Sequence, residues 1–156
     1  MKLAEALTER KALQEKLARL RARLTANARV QEGDEPAERP TTLLAEVAEA
    51  ATALENLTVR INRTNVAATL ADEPRLTLME AVARRDMLKL RFTALSELIG
   101  AAAPASGRFI VTRSEVKFRA TVDVAELQKQ LDGLAREIRD LDARLQAANW
   151  AVELAN

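Results

Sequence analysis

The chain has 156 residues, a net charge of +1 and 30% charged residues, and it contains neither Cys nor His. So small a net charge provides no overall field to recruit nucleic acid or an anionic membrane. The lack of Cys excludes disulfides and thiolate metal sites, and the lack of His removes the commonest general base and metal ligand. Any catalysis would therefore depend on carboxylates, lysines or hydroxyls.

The length predicts a single helical domain over residues 1–156. Aromatic residues make up only 3% of the chain, and a composition rich in Ala, Leu, Glu and Arg is typical of long packed helices. Charged residues interrupt the N-terminal stretch every few positions, so it has no signal-peptide core. We therefore expect a cytoplasmic protein.

Four segments carry apolar residues at alternating steps of three and four, which is the heptad spacing of helices that pack along their length. Arg10 interrupts the apolar series of the first segment, and Arg85 interrupts that of the third. The four segments are residues 3–24, 43–61, 78–102 and 124–152.

The chemistry at the segment boundaries supports these assignments. Pro40 precedes the second segment, where a proline at the first helical position fits the fixed φ of its ring. Thr77 with Glu80, and Asp123 with Glu126, have the spacing of capping boxes. The pattern therefore predicts helix starts at these three places.

Two connections have compositions that differ from plain linkers. Residues 31–40 (QEGDEPAERP) are acidic, whereas residues 107–122 (GRFIVTRSEVKFRATV) are basic. In the second connection, residues 116–122 alternate between apolar and polar, and residues 109–111 provide a partner strand, so we predict a small β-hairpin there. The candidate interaction residues of the two loops are Glu32, Asp34, Glu35, Arg113, Ser114, Glu115 and Lys117.

The sequence contains an internal similarity. A shift of 75 residues aligns Leu3 with Leu78 and Arg10 with Arg85, and a shift of 84 aligns Asn65 with Asn149. Either this is a duplicated helical hairpin with halves of about residues 1–75 and 76–156, or any two heptad helices would align as well. The duplication predicts a mainly α fold, an antiparallel bundle of four long coiled-coil-like helices with the small β-hairpin at one end.

The segment INRTN, residues 61–65, carries polar side chains where an apolar series should continue. Antiparallel pairing would bring it towards the interrupting arginines. Three readings stay open, namely a structural polar layer that fixes helix register, arginines that extend to solvent, and a ligand site. The candidate layer consists of Arg10, Asn62, Asn65, Arg85, Asp86, Asp140 and Asn149.

Five short motifs occur in order along the chain, KLAEAL, QEGDEP, INRTN, RSEVKF and ANW. Together they resemble a family of uncharacterised bacterial proteins often labelled septicolysin. The resemblance implies a small bacterial helical protein without established activity or catalytic residues. The label itself implies a pore-forming cytolysin.

We predict a non-enzymatic structural or interaction module, with no catalytic residues, metal or cofactor. Leu7, Val59, Leu90 and Leu98 lie outside the heptad series, so we expect homo-oligomerisation through these flanks, the β segment, or both. Other protein partners are not indicated, and the composition disfavours nucleic-acid and membrane partners. The alternatives are a membrane-active protein, or a small-molecule or nucleic-acid binder.

Overall fold

The computed structural model describes residues 1–102 and 119–156. These residues form four α-helices and one two-stranded antiparallel sheet, which confirms a mainly α fold with a small β-hairpin. In chain order the elements are α1 (Leu3–Ala26), α2 (Pro40–Ala67), β1 (Thr69–Leu70), β2 (Glu73–Thr77), α3 (Leu78–Ala102) and α4 (Val124–Ala151).

The chain divides into two compact units. Unit 1 consists of Met1–Met79 with Gln146–Asn156, and unit 2 is Glu80–Leu145. The last turns of α4 thus belong to the same unit as α1 and α2. The predicted halves instead placed this segment in the second half, with residues 76–156. The duplication of a helical hairpin stays a prediction.

In unit 1, α1 and α2 run antiparallel and pack through their apolar faces. Leu20 of α1 is buried against Leu43 and Ala50 of α2. The heptad spacing explains this core, because steps of three and four keep one face of each helix turned to the same neighbour. The partly buried side chains packed around these three residues are Leu17, Leu24 and Val47.

The helix starts agree with the sequence pattern. Pro40 is the first residue of α2, a position where its missing N–H has no intrahelical partner to lose. At the start of α4, the Oδ1 atom of Asp123 accepts hydrogen bonds from the backbone N–H groups of Ala125 (3.0 Å) and Glu126 (3.1 Å). Asp123 is therefore the N-cap residue that the sequence predicts.

The β-hairpin lies in the link between α2 and α3. Thr69 pairs with Thr77 and Leu70 with Glu73, and the register is irregular between the two pairs. The backbone N–H of Leu78 donates to the carbonyl oxygen of Ala68 at 2.9 Å, which ties the end of α2 to the start of α3. Leu70 is buried, so the hairpin contributes one side chain to the core of unit 1.

The hairpin predicted over residues 107–122 falls mostly at residues 103–118, which lie outside the described residues. At its described end, Ala120 and Val122 are not in a strand. No strand was predicted over residues 69–77, because strands of two and five residues are too short to show a clear alternation of apolar side chains.

Adjacent leucines in α2 give a direct test of the α1–α2 core. Leu43 is 1% exposed and Leu44 is 56% exposed. We expect Leu43→Ala to lower the free energy of unfolding by about 2–5 kcal/mol, because it leaves a cavity beside Leu20. Leu44→Ala should stay within about 0.5 kcal/mol of the wild type. Urea denaturation measures both, and equal losses would contradict the pairing of α1 with α2.

Candidate interaction surface

The candidate polar layer draws its members from both units. In unit 1, Asn62 is exposed, whereas Arg10, Asn65 and Asn149 are half-buried. Within the described residues no side-chain hydrogen bond joins these four. The layer as a whole, with its members in unit 2, stays a prediction.

In unit 2, Arg85 is at the centre of a small ion-pair network. Its Nε and Nη2 atoms donate to Oδ1 of Asp86 at 3.0 and 2.7 Å. Its Nε also lies 3.7 Å from Oδ1 of Asp142 on α4, and Nζ of Lys89 lies 3.2 Å from Oδ2 of the same carboxylate. The predicted Asp140 is exposed. The carboxylate that links α4 to α3 is therefore Asp142, which the sequence analysis did not select.

The buried polar residue of INRTN is Thr64, which is 3% exposed. Its hydroxyl donates to the carbonyl oxygen of Arg60 at 2.9 Å and accepts from the backbone N–H of Ala155 at 2.9 Å. Nε of Arg60 donates to the carbonyl oxygen of Ala155, also at 2.9 Å. The sequence analysis missed Thr64, although the three-residue step from Ile61 places it on the apolar face of α2.

The same part of unit 1 holds residues near both ends of the chain together. Lys2 and Glu153 form an isolated antiparallel bridge, and their side chains pair at 2.7 Å between Nζ and Oε1. The hydrogen bond with Lys2 lowers the pKa of Glu153. We call Lys2, Arg60, Thr64, Glu153 and Ala155 the terminal clasp. Every partner in the clasp is another residue of unit 1, so it is a structural feature.

At the opposite end of the α1–α2 hairpin, Arg23 forms a two-point hydrogen bond to Glu38. Asn27 supports it, because its Oδ1 accepts from the backbone N–H of Glu38 and its Nδ2 donates to the carbonyl oxygen of Arg23, both at 3.0 Å. The hydrogen bond from Arg23 lowers the pKa of the Glu38 carboxyl. This contact fixes where the acidic loop returns to α2.

The predicted interaction residues of the acidic loop are exposed. Glu32, Asp34 and Glu35 all face solvent. Their predicted counterparts in the second loop, Arg113, Ser114, Glu115 and Lys117, lie outside the described residues. In residues 1–102 and 119–156, no group of three or more acidic side chains could hold a metal ion.

Helix α3 exposes a continuous apolar face. In unit 2, five of its exposed apolar residues recur at steps of four, three, four and four, which places them on one side of the helix. Ala81, Leu88 and Leu95 lie on nearly the opposite side, where Ala81 and Leu88 are buried. We call these five exposed residues the outer stripe, and they are Ala83, Met87, Leu90, Ala94 and Leu98.

An open groove of about 590 Å³ adjoins the outer stripe within unit 2. Ala94 and Leu98 belong to both features, and Leu95 and Leu134 add further apolar wall. Gly133 of α4 leaves open space where a side chain would stand. The remaining lining residues are Arg91 and Gln130. Ala94 and Leu98 thus connect the outer stripe to the groove.

Three of the four flank residues expected to mediate self-association are exposed. They are Val59, Leu90 and Leu98, and the last two belong to the outer stripe. Leu7 is half-buried. None of the described helices combines the length and apolar character needed to cross a bilayer.

These elements define a mainly helical protein with one short β-hairpin and an apolar helix face. The chain belongs to the family of unknown function DUF6847, whose family model matches residues 10–154. It is also similar to a functionally unknown conserved protein from Corynebacterium diphtheriae, known from a crystal structure. The two chains are 40% identical, with coverage of 99% of this chain and 98% of the other and a TM-score of 0.89. No curated protein matches the chain.

We expect Thr64→Val to lower the free energy of unfolding by about 1–3 kcal/mol, because it leaves the half-buried N–H of Ala155 without its acceptor. Thr52→Val is the matched control. Thr52 is exposed, and its hydroxyl makes only the bond to the carbonyl oxygen of Ala48, so the expected change is within about 0.5 kcal/mol. Urea denaturation measures stability, and hydrogen exchange of the Ala155 amide reports the clasp. An unchanged exchange rate in Thr64→Val would contradict the role of the hydroxyl.

The Arg23–Glu38 contact predicts a pH dependence with a definite sign. The folded-state pKa of Glu38 is lowered, so its contribution is present above the ordinary carboxyl pKa and is lost as pH falls through the folded value. Carbon NMR of the Glu38 carboxyl should show this low midpoint. Arg23→Gln should raise it, whereas Arg21→Gln, which changes an exposed neighbour, should leave it unchanged. Equal midpoints in the three proteins would refute the assignment.

Proposed function

We propose that this protein is a homo-oligomeric structural or interaction module of the cytoplasm that has no catalytic activity of its own. The observation that carries the proposal is the outer stripe of α3. The largest apolar patch on a typical monomeric protein covers roughly 300–600 Å² and is often functional. The outer stripe places three large apolar side chains and two alanines in one exposed row.

The proposal includes the arrangement of the helices. The α1–α2 hairpin of unit 1 and the α3–α4 pair of unit 2 are repeats of one antiparallel helical hairpin of coiled-coil type. Support comes from the matched positions of Arg10 and Arg85 in α1 and α3 and from the antiparallel core of Leu20 with Leu43.

The chemistry of the charged groups supports a non-enzymatic role. A charge network of unit 2 joins Arg85, Lys89, Asp86 and Asp142, and its two carboxylates are matched by two cations. The described lining of the groove contains no Asp or Glu, which counts against a pair of acids acting there as acid and base. The chain also has no His or Cys to serve as a base or nucleophile.

The groove of unit 2 favours a second candidate function, the binding of a small ligand. Leu95, Leu98 and Leu134 would contact an apolar body, while Arg91 and Gln130 would contact a polar end. A thermal-shift screen with acyl and aromatic carboxylates would detect such a ligand. The variant Gly133→Leu should abolish the shift by filling the groove, and a ligand that still shifts this variant would bind elsewhere.

We expect sedimentation equilibrium at micromolar concentration to give a mass that is a multiple of 17.2 kDa. The physical reason is the gain from covering the outer stripe, about 25 cal/mol for each Å² of apolar surface removed from water. A monomer over the whole micromolar range would overturn the proposal.

Two further assays address the alternative functions. Leakage of dye from neutral and anionic vesicles would favour the membrane activity that the septicolysin resemblance implies. Salt-dependent binding to DNA would favour the nucleic-acid alternative. If the protein sediments as a monomer and is active in one of these assays, the function that this assay detects would replace the proposed one.

A further inference from the structure

We propose that the outer stripe of α3 is the docking site for a second copy of this chain, with the two α3 helices parallel and Asp86 of each beside the partner's Arg91. This inference rests on the proposed function, because it names the partner and the surface of the self-association. Its test is arranged so that the two can fail separately.

The spacing of the stripe matches that of a helix-pairing surface. Ala83, Met87, Leu90 and Ala94 follow steps of four, three and four, so they occupy the d, a, d and a positions of a heptad. Leu90, which is 63% exposed, is the most exposed of the large side chains in the stripe. A row spaced in this way fits a second helix along its length, because each side chain can enter the space between side chains of the facing helix.

The size of the surface also fits a second helix. From Ala83 to Leu98 the stripe extends for roughly 22 Å at 1.5 Å per residue. Stable interfaces bury about 800 Å² on each partner. The stripe supplies the apolar centre of such an area, and the groove beside Ala94 and Leu98 continues it on one side.

The charges that flank the stripe are complementary to those of a second copy. Asp86 precedes Met87 at the g position, and Arg91 follows Leu90 at the e position, so opposite charges flank the two edges of the stripe. In a parallel two-stranded arrangement, a g residue faces the e residue five positions further on in the partner. Each Asp86 would therefore face the partner's Arg91, and the two-fold symmetry gives this pair twice.

The present contacts of Asp86 are compatible with this role. Arg85 of the same helix uses Oδ1 of Asp86, and within the described residues Oδ2 accepts no hydrogen bond. The Asp86 side chain is 52% exposed. The second carboxylate oxygen can thus accept a hydrogen bond from the partner's Arg91 while Arg85 keeps the first.

Other exposed apolar side chains do not form a comparable surface. On α2, Glu55 and Asn62 interrupt the row of exposed residues formed by Leu44, Ala48, Ala51, Val59 and Val66. On α4, Trp150 follows two exposed alanines, Ala143 and Ala147, so that row contains a single large apolar side chain. The second copy is favoured over an unrelated apolar partner because the flanking charges match the stripe itself. Leu44 then serves as a control position, since it is 56% exposed.

The experiment compares Leu90→Glu with Leu44→Glu by sedimentation equilibrium of the full chain. Leu90→Glu should sediment as a monomer at concentrations where the wild type and Leu44→Glu are oligomeric. Circular dichroism and urea denaturation establish that each variant is folded. If the wild type is oligomeric and Leu90→Glu stays so, the stripe is wrong but the proposed function stands. If the wild type is a monomer, both fail.

Charge reversal tests the orientation of the two helices. Arg91→Glu should raise the dissociation constant several-fold, because it places two acids at each edge. The double variant Asp86→Arg/Arg91→Glu should recover the affinity, since it restores each pair with reversed polarity. Lys129→Glu, a charge reversal at an exposed site of α4, should leave the dissociation constant unchanged. Equal weakening by the single and double variants would exclude the parallel pairing and leave the stripe to be judged by Leu90→Glu.

Discussion

A helix that packs against a single neighbour buries only one of its own faces. This limit decides which helix faces of the chain are buried and which remain exposed. In unit 1 the shared face of α1 and α2 closes over Leu20, Leu43 and Ala50. The C-terminal end of α2 packs against a different segment. There the hydroxyl of Thr64 accepts a hydrogen bond from the backbone N–H of Ala155. Helix α3 is apolar on two faces, and its outer face has no cover among the described residues.

The sequence predicts the helices well, because a heptad period over several turns is a strong physical constraint, and helix starts at Pro40 and Asp123 have local chemical causes. It does not resolve choices that differ by one or two residues. Steps of three and of four from Ile61 both fit a heptad. The pattern alone therefore allowed either Thr64 or Asn65 on the apolar face of α2. Asp140 and Asp142 differ by about 200° around α4 at 3.6 residues per turn, and only the packing of the helices decides between them. The candidate site was thus less predictable than the fold.

Membership of a family of unknown function and the close similarity to the Corynebacterium diphtheriae protein extend the fold to relatives without naming an activity. Function depends on surfaces and sites rather than on the fold, so the arrangement of side chains carries the argument. The ion pairs of Arg85 and Arg23 join elements of the same chain, and exposed pairs of this kind contribute only about 0–1 kcal/mol each. The apolar face of α3 is different, because no described residue of its own unit covers it.

The terminal clasp has a consequence for the order of folding. The hydrogen bond between Ala155 and Thr64 joins residues 91 positions apart, whereas the contact between Arg23 and Glu38 spans only 15. Closing a long loop costs chain entropy before any contact is gained, so contacts that are close in sequence form sooner. The α1–α2 hairpin can therefore form while the C-terminal segment is still free. Docking of that segment on α2 becomes a late event, and its release an early stage of unfolding.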